Sequence, residues 1–156
     1  MYLISSCLCG VNCKYNGENN LNTKCLELVK EGKAILICPE QLGGLSTPRV
    51  PAEIIGSSEG ILKEDNKSKI ITKDNKDVTC EFLKGAQETL KIANLYNIKK
   101  AILKEGSPSC GVKYVYDGTF SSKKISAMGL TAMILEENGI EVIGDTDLGG
   151  ISNGDF

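Results

Sequence analysis

The chain has 156 residues, 41% of them hydrophobic, with 18 basic against 20 acidic side chains and a formal net charge of −2. That length suits one domain with a real core, and the charge offers no basic footprint of the kind nucleic-acid binding uses. Histidine and tryptophan are absent, which removes the commonest metal ligand and the commonest general base. Any metal must therefore sit on cysteines and carboxylates.

The pattern predicts a first strand over residues 2–6, followed by a loop from Cys7 to Gly17 that is rich in cysteine, asparagine and glycine. Asn22 or Thr23 caps a predicted helix running to about residue 31, with Cys25, Leu26 and Val29 on its buried face and Gly32 as its stop. Residues 33–38 read as a second strand that ends on Cys38, Pro39 and Glu40, ahead of Gly43 and Gly44. Pro39 cannot donate to a sheet ladder and marks the strand's end. The paired glycines leave the backbone free to close on a bound molecule, so both are candidate substrate contacts.

A long loop over residues 41–58, stiffened by Pro48 and Pro51, is expected next. Residues 61–63 and 69–72 look like the arms of a surface hairpin. Thr79 opens a predicted amphipathic helix over residues 80–96. Residues 100–104 form a third strand candidate, and Gly106-Ser107-Pro108-Ser109-Cys110-Gly111 follows it. Tyr114 to Phe120 reads as an excursion over a site. A helix is expected over 128–138 and a fourth strand over 140–143, and the glycine- and acid-rich residues from 144 are expected to fray. Asp65, Asp74 and Asp77 with their neighbouring lysines read as a solvated face.

Strands alternating with helices imply an α/β fold: a single three-layer, Rossmann-like domain with a short parallel sheet and helices on both faces. The domain is expected to span residues 1–144, with 145–156 as a C-terminal tail. No stretch approaches the roughly 20 apolar residues of a membrane span, and the first residues lack a signal-peptide pattern, so a cytoplasmic protein is expected. Its 7 cysteines then point to metal ligands, reactive thiols or packing rather than disulfides.

Three strand candidates each deliver a cysteine just past their C-terminal end: Cys7, Cys38 and Cys110. If those strands are parallel neighbours the thiols converge at the edge where α/β sheets bind ligands. Packing accounts for Cys25 and Cys80, which lie within helix patterns. It accounts poorly for cysteines set among Gly, Pro and Ser. A zinc knuckle lacks the right spacing, since Cys7, Cys9 and Cys13 form no Cys-x-x-Cys pair. A lone catalytic thiol lacks a histidine partner, and the glycine pairs at 43–44 and 149–150 lack the spacing of a phosphate loop. An iron–sulfur cluster on three thiolates would leave one iron open as a Lewis acid. Glu40 is then placed to move protons, and Ser107 and Ser109 to bind substrate or a water.

These residues carry a resemblance. Ser5-Ser6-Cys7-Leu8-x-Gly10, Tyr15-x-Gly17, Cys38-Pro39-Glu40-x-x-Gly43-Gly44-Leu45-x-x-Pro48-Arg49-x-Pro51-x-Glu53, Ser107-Pro108-Ser109-Cys110-Gly111 and Tyr116-x-Gly118-Thr119-Phe120 together resemble the DUF523 family, over residues 1 to about 143. This family includes the thiouracil desulfidases. The resemblance implies a [4Fe-4S] cluster on Cys7, Cys38 and Cys110, with one open iron that takes up substrate sulfur, and redox-neutral removal of that sulfur from a thiolated base. Glu40 would be the acid/base group, with Ser109, ahead of Ser107, near the reacting carbon. Cys13 is read as a fourth, non-ligand thiol beside the site, and Cys9 as incidental.

Asn16 stands where the family usually has aspartate, which puts a second acid/base role there in doubt. Arg49, the chain's single arginine, suits a stacked or bidentate substrate contact. A salt bridge fixing the proline-rich loop through Glu53 is an equal reading. Longer relatives carry an added domain and some act on thiolated tRNA; this chain has neither that domain nor a net positive charge, so a small thio-compound is the expected partner. A non-catalytic zinc or cluster protein using Cys13 as fourth ligand, and a metal-free persulfide carrier using Cys7 or Cys110, stay open at this point.

Overall fold

A computed structural model of the protein describes residues 1–150. Its centre is a four-stranded parallel sheet of β1 (Tyr2–Ser5), β2 (Ala34–Ile37), β5 (Lys100–Leu103) and β8 (Glu141–Gly144), in the order β2-β1-β5-β8. Register follows the apolar runs: Leu3 lies opposite Ile35 and Ala101, and Ile4 opposite Leu36 and Ile102. Because side chains alternate across a strand, the sheet sorts them onto two buried faces, which is why the strands read as continuous apolar runs.

One face carries Leu3, Ile37, Ala101 and Leu103 against α4 (Thr79–Leu95) and α5 (Leu130–Glu137), through Ala93, Ala132 and Leu135. The other carries Ile4 and Ile102 against α1 (Thr23–Lys30), through Cys25 and Leu28, and against Leu8 and Leu148. Leu3, Ile4, Ile102 and Leu103 are fully buried, each stabilising the fold by about 1.5–3 kcal/mol. The three-layer α/β architecture expected from the pattern is therefore the one found.

Local signals explain the helix ends. Asn22 Oδ1 accepts from the N–H groups of Lys24 and Cys25 at 3.0 and 3.3 Å and starts α1. The buried stripe of α1 is Cys25 and Leu28, with Leu26 and Val29 only half-buried. At the start of α4 the N-cap residue is Val78, and Asp77 just ahead of it accepts the Thr79 N–H on its Oδ1 at 3.0 Å. The Thr79 hydroxyl instead accepts from the Ile70 N–H at 2.9 Å.

An outer layer departs from expectation. A short helix, α2 (Pro39–Leu42), leads into the proline-rich loop, which contains β3 (Ala52–Ile55), and β3 pairs antiparallel with β4 (Lys69–Thr72). Residues 61–63 are not a hairpin arm. Ile61 and Leu62 belong to α3 (Ser58–Leu62), whose cap is the Ser57 hydroxyl accepting from Gly60 N–H at 2.9 Å. Ile54, Ile61 and Ile70 pack on Phe82, Ala86, Leu130 and Ile134 as a third cluster. A small antiparallel pair, β6 (Tyr114–Tyr116) and β7 (Lys124–Ser126), completes this side.

The chain beyond β8 does not fray at once. Residues Asp145–Gly150 wind into a 3-10 helix. Asp145 accepts from the Glu105 N–H at 2.7 Å and pairs with Lys104, and Lys24 donates to the Leu148 carbonyl at 2.8 Å. Residues 151–156 of the expected tail lie outside the described residues. Among the described residues no helix is long and apolar enough to cross a membrane.

Candidate active site

Three loops leave the C-terminal edges of β1, β2 and β5 and meet around one cavity of about 810 Å³. After β1 the chain turns into a 3-10 helix, Ser6–Cys9, which Gly10 closes at φ 86°. That turn buries Cys7 against the sheet. After β2, Cys38 stays extended at φ −127° and serves as the residue ahead of α2. Pro39, with its preset φ, opens the helix, and the first turn carries Glu40. After β5, the Ser107 hydroxyl accepts from the N–H groups of Ser109 and Cys110, both at 3.0 Å. It thereby folds Ser-Pro-Ser-Cys into a tight turn. Cys7, Cys13, Cys38, Cys110, Glu40 and Ser107 all line the cavity.

The thiols do not share one electrostatic state. Cys13 lies within hydrogen-bonding reach of both Cys7 and Cys38. Its hydrogen bond holds the Cys7 thiol below its ordinary value, against the opposing effect of burial. The same contact, helped by the Gln41 N–H at the start of α2, brings Cys38 down to about 7. Its hydrogen-bonding contacts with Cys38 and Cys7, together with burial, push the Cys13 thiol far up. Burial raises Cys110, and a hydrogen bond to Ser5 only partly offsets it. Cys13 thus lies between Cys7 and Cys38 at the cavity wall, with Cys110 buried nearby.

Glu40 is held by one cation. Arg49 Nε donates to its Oε2 at 2.5 Å, with the two side chains 9% and 15% exposed, guanidinium first. The remaining guanidinium nitrogens donate to Thr47 Oγ1 at 3.0 Å, the Ser46 carbonyl at 3.2 Å and the Cys13 carbonyl at 2.9 Å. Arg49 therefore makes four hydrogen bonds within the protein, and its carboxylate partner is Glu40, not Glu53. Ser107 Oγ approaches the other oxygen, Glu40 Oε1, at 3.5 Å.

Three of the expected contacts lie elsewhere. Ser109 is buried, and its hydroxyl bonds Thr131 Oγ1 at 2.7 Å, behind the cavity wall. Gly43 packs against α4, where a Cβ would stand 2.0 Å from the Glu81 carbonyl, and neither it nor Gly44 lines the cavity. Among the other cysteines, Cys25 packs in the core as expected, Cys9 is half-buried, and Cys80 is exposed on α4 rather than packed.

One carboxylate, Glu105, has no part in the sequence-based expectations, and another, Glu53, has backbone partners in place of the arginine expected there. Glu105, 3% exposed, accepts the N–H groups of Val112, Lys113 and Tyr114 at 3.0 to 3.4 Å and fixes the loop that carries Cys110. Glu53 accepts from Gly118 and Phe120 N–H at 3.1 and 3.2 Å and ties down the segment over the cavity. Phe120 and Ser122 there sit at positive φ, 56° and 61°. The signal for Glu105 was its place two residues past a strand, in a sequence otherwise read only for its thiols.

The donor set is sulfur-rich and contains no imidazole. Among the described residues no group of three His, Cys, Asp or Glu side chains could hold a single metal ion. The thiols are instead distributed around a roomy cavity, an arrangement that suits a polynuclear group with bulk of its own.

The chain matches the 2-thiouracil desulfurase family over residues 2–147. It is 48% identical over 152 residues, 97% of this chain and 99% of the other, to the uncharacterized protein YbbK of Bacillus subtilis strain 168. Among solved structures it resembles a [4Fe-4S]-dependent thiouracil desulfidase, TudS, with a TM-score of 0.84 and 35% identity over 96% of this chain and 93% of that one. The family resemblance seen in the sequence is thereby established, and the fold is shared.

Proposed function

The chain belongs to the 2-thiouracil desulfurase family, and from that premise we propose that it replaces the sulfur of a small thiolated ring compound by oxygen, without net redox change. The carrying observation is convergence: Cys7, Cys38 and Cys110, from three adjacent parallel strands, share one cavity with Glu40 and Ser107. The overall step balances as thiocarbonyl plus water giving carbonyl plus hydrogen sulfide.

Cys7, Cys38 and Cys110 would hold a [4Fe-4S] cluster, which supplies a Lewis-acidic iron able to bind the substrate's sulfur. The chain's own residues handle the water. Glu40 Oε1 accepts the water's proton as its oxygen adds to the ring carbon. Arg49 keeps Glu40 Oε2 fixed and charge-compensated, which aims the free oxygen. Both acceptor positions of the Ser107 hydroxyl are taken by backbone N–H groups, so its one proton is available to Glu40, to the water or to the departing sulfide. Ser107 therefore takes the role for which Ser109 was the other candidate. The substrate class, a thiolated pyrimidine base, follows the family to which the chain belongs, and the net negative charge disfavours a nucleic-acid partner.

Anaerobic reconstitution with iron and sulfide, followed by addition of 2-thiouracil or 4-thiouracil, tests the reading. The expected result is about four irons per chain and sulfide released in step with substrate lost. Cys7→Ala, Cys38→Ala and Cys110→Ala should each lose the iron, whereas Cys25→Ala should keep it. A protein that binds iron and releases no sulfide from either base would overturn the assignment.

A further inference from the structure

Cys7, Cys38 and Cys110 have roles in the reading above, but a fourth thiol faces the same cavity. Cys13 is 2% exposed and lies between the sulfurs of Cys7 and Cys38. Cys13 belongs to the edge of the core cluster around Ile4 and Leu8 and at the same time lines the cavity. Its backbone is held on both sides. The Cys13 N–H donates to the Val11 carbonyl at 2.8 Å, and its carbonyl accepts from Arg49 Nη2 at 2.9 Å. The turn that follows is closed by Lys14 N–H to the Glu18 carbonyl at 3.1 Å and by Gly17 N–H to the Lys14 carbonyl at 2.9 Å. The sulfur is thus presented by an ordered loop.

The guanidinium that fixes this loop is also the one that holds Glu40. Movement of the Cys13 loop and placement of the proton-handling carboxylate therefore share a single anchor. A Lewis-acidic iron in a cavity open to solvent also needs an occupant when no substrate is present, and the nearest sulfur without a role is this one.

We propose that Cys13 is an exchangeable fourth ligand, capping the open iron position while the site is empty and giving it up to the substrate's sulfur. The inference rests on the cluster reading above. The exchange is redox-neutral: one iron–sulfur bond to Cys13 breaks, one to the incoming thiocarbonyl sulfur forms, and the freed thiolate takes a proton from water. When product sulfide leaves, the cap re-forms with loss of that proton.

The test is anaerobic alkylation of the iron-loaded protein with iodoacetamide, with and without excess 2-thiouracil, read by peptide mass spectrometry. Labelling of Cys13 should rise several-fold with 2-thiouracil while Cys7, Cys38 and Cys110 stay protected. Exposed Cys80 labels in both cases and calibrates the reagent. Equal Cys13 labelling in both conditions, or none in either, would overturn the proposal. A second measurement uses Cys13→Ser. The variant should keep four irons, show an altered EPR spectrum of the reduced, substrate-free cluster, and lose its colour in air several-fold faster than the parent. A spectrum and air stability identical to the parent would sink the idea, as would loss of iron, which would make Cys13 a permanent ligand. If the parent protein binds no cluster, both this inference and the function fail. If it binds one and releases sulfide with Cys13 labelling unchanged, only this inference fails.

Discussion

Glu40 and Glu105 follow strands on either side of β1, and both face the same cavity, yet their surroundings give them different work. Glu105 spends both oxygens on three consecutive backbone N–H groups. A carboxylate held in that way is a structural knot, since both of its oxygens already accept from fixed backbone donors. Glu40 spends one oxygen on Arg49 and leaves the other beside a serine hydroxyl at 3.5 Å. That asymmetry, an anchored oxygen and an idle one, is what a proton-transfer group needs. Residue type and position past a strand are nearly the same; the count of committed lone pairs separates the two.

The comparison can be broken most sharply at Glu40. Glu40→Gln should lower turnover by about 10²- to 10⁴-fold, with the melting temperature and iron content close to the parent's. Steady-state sulfide release checks this, and full activity in the variant would remove Glu40 from proton transfer. Glu105→Gln should do the reverse. Replacing one oxygen by an amide N–H sets a donor against backbone donors, costing about 1–3 kcal/mol of stability, read by denaturant unfolding. Activity per bound iron should fall far less than for Glu40→Gln.

Smaller effects sharpen the same contrast. Arg49→Lys keeps the charge but loses the fork that joins Glu40, Thr47 and the Cys13 carbonyl. It should cost about 0.5–1.5 kcal/mol for each hydrogen bond lost, seen as reduced turnover with the iron retained. The two serines flanking Pro108 should separate last. Ser107→Ala should cut turnover, whereas Ser109→Ala, which leaves Thr131 without its partner, should lower the melting temperature and leave turnover per folded protein unchanged. A turnover defect in Ser109→Ala alone would reverse their order.

The central sheet was legible because its strands are buried on both faces and are short, uninterrupted apolar runs such as Ala34 to Ile37. The three thiols were legible for a related reason, since each follows such a run. The outer layer was not. Ala52–Ile55 was hidden in the proline-rich loop because Glu53 breaks its apolar pattern, and only the fold shows that this carboxylate is satisfied by Gly118 and Phe120. Ile61 and Leu62 read as a strand because an apolar pair carries no period; the Ser57 cap three residues ahead of Gly60 was the overlooked sign of a helix. Ser107 and Ser109 look symmetric about Pro108 in one dimension. A serine directly before proline with free N–H groups two and three residues on is a capping pattern, and it would have singled out Ser107 as the residue at the mouth of the turn.

The crossing of α2 over α4 reaches further than its size suggests. A Cβ on Gly43 would stand 2.0 Å from the Glu81 carbonyl, and one on Gly85 would stand 1.9 Å from the Pro39 carbonyl. The two backbones are in direct contact, with no side chain between them to give way. Alanine at 85 would therefore act as a wedge beneath the single helical turn whose first residues follow Cys38 and include Glu40. Its lever arm is short and its load is the acid of the reaction. A mutational survey confined to the walls of the cavity would pass over Gly85, although a methyl group placed there would silence the site from behind.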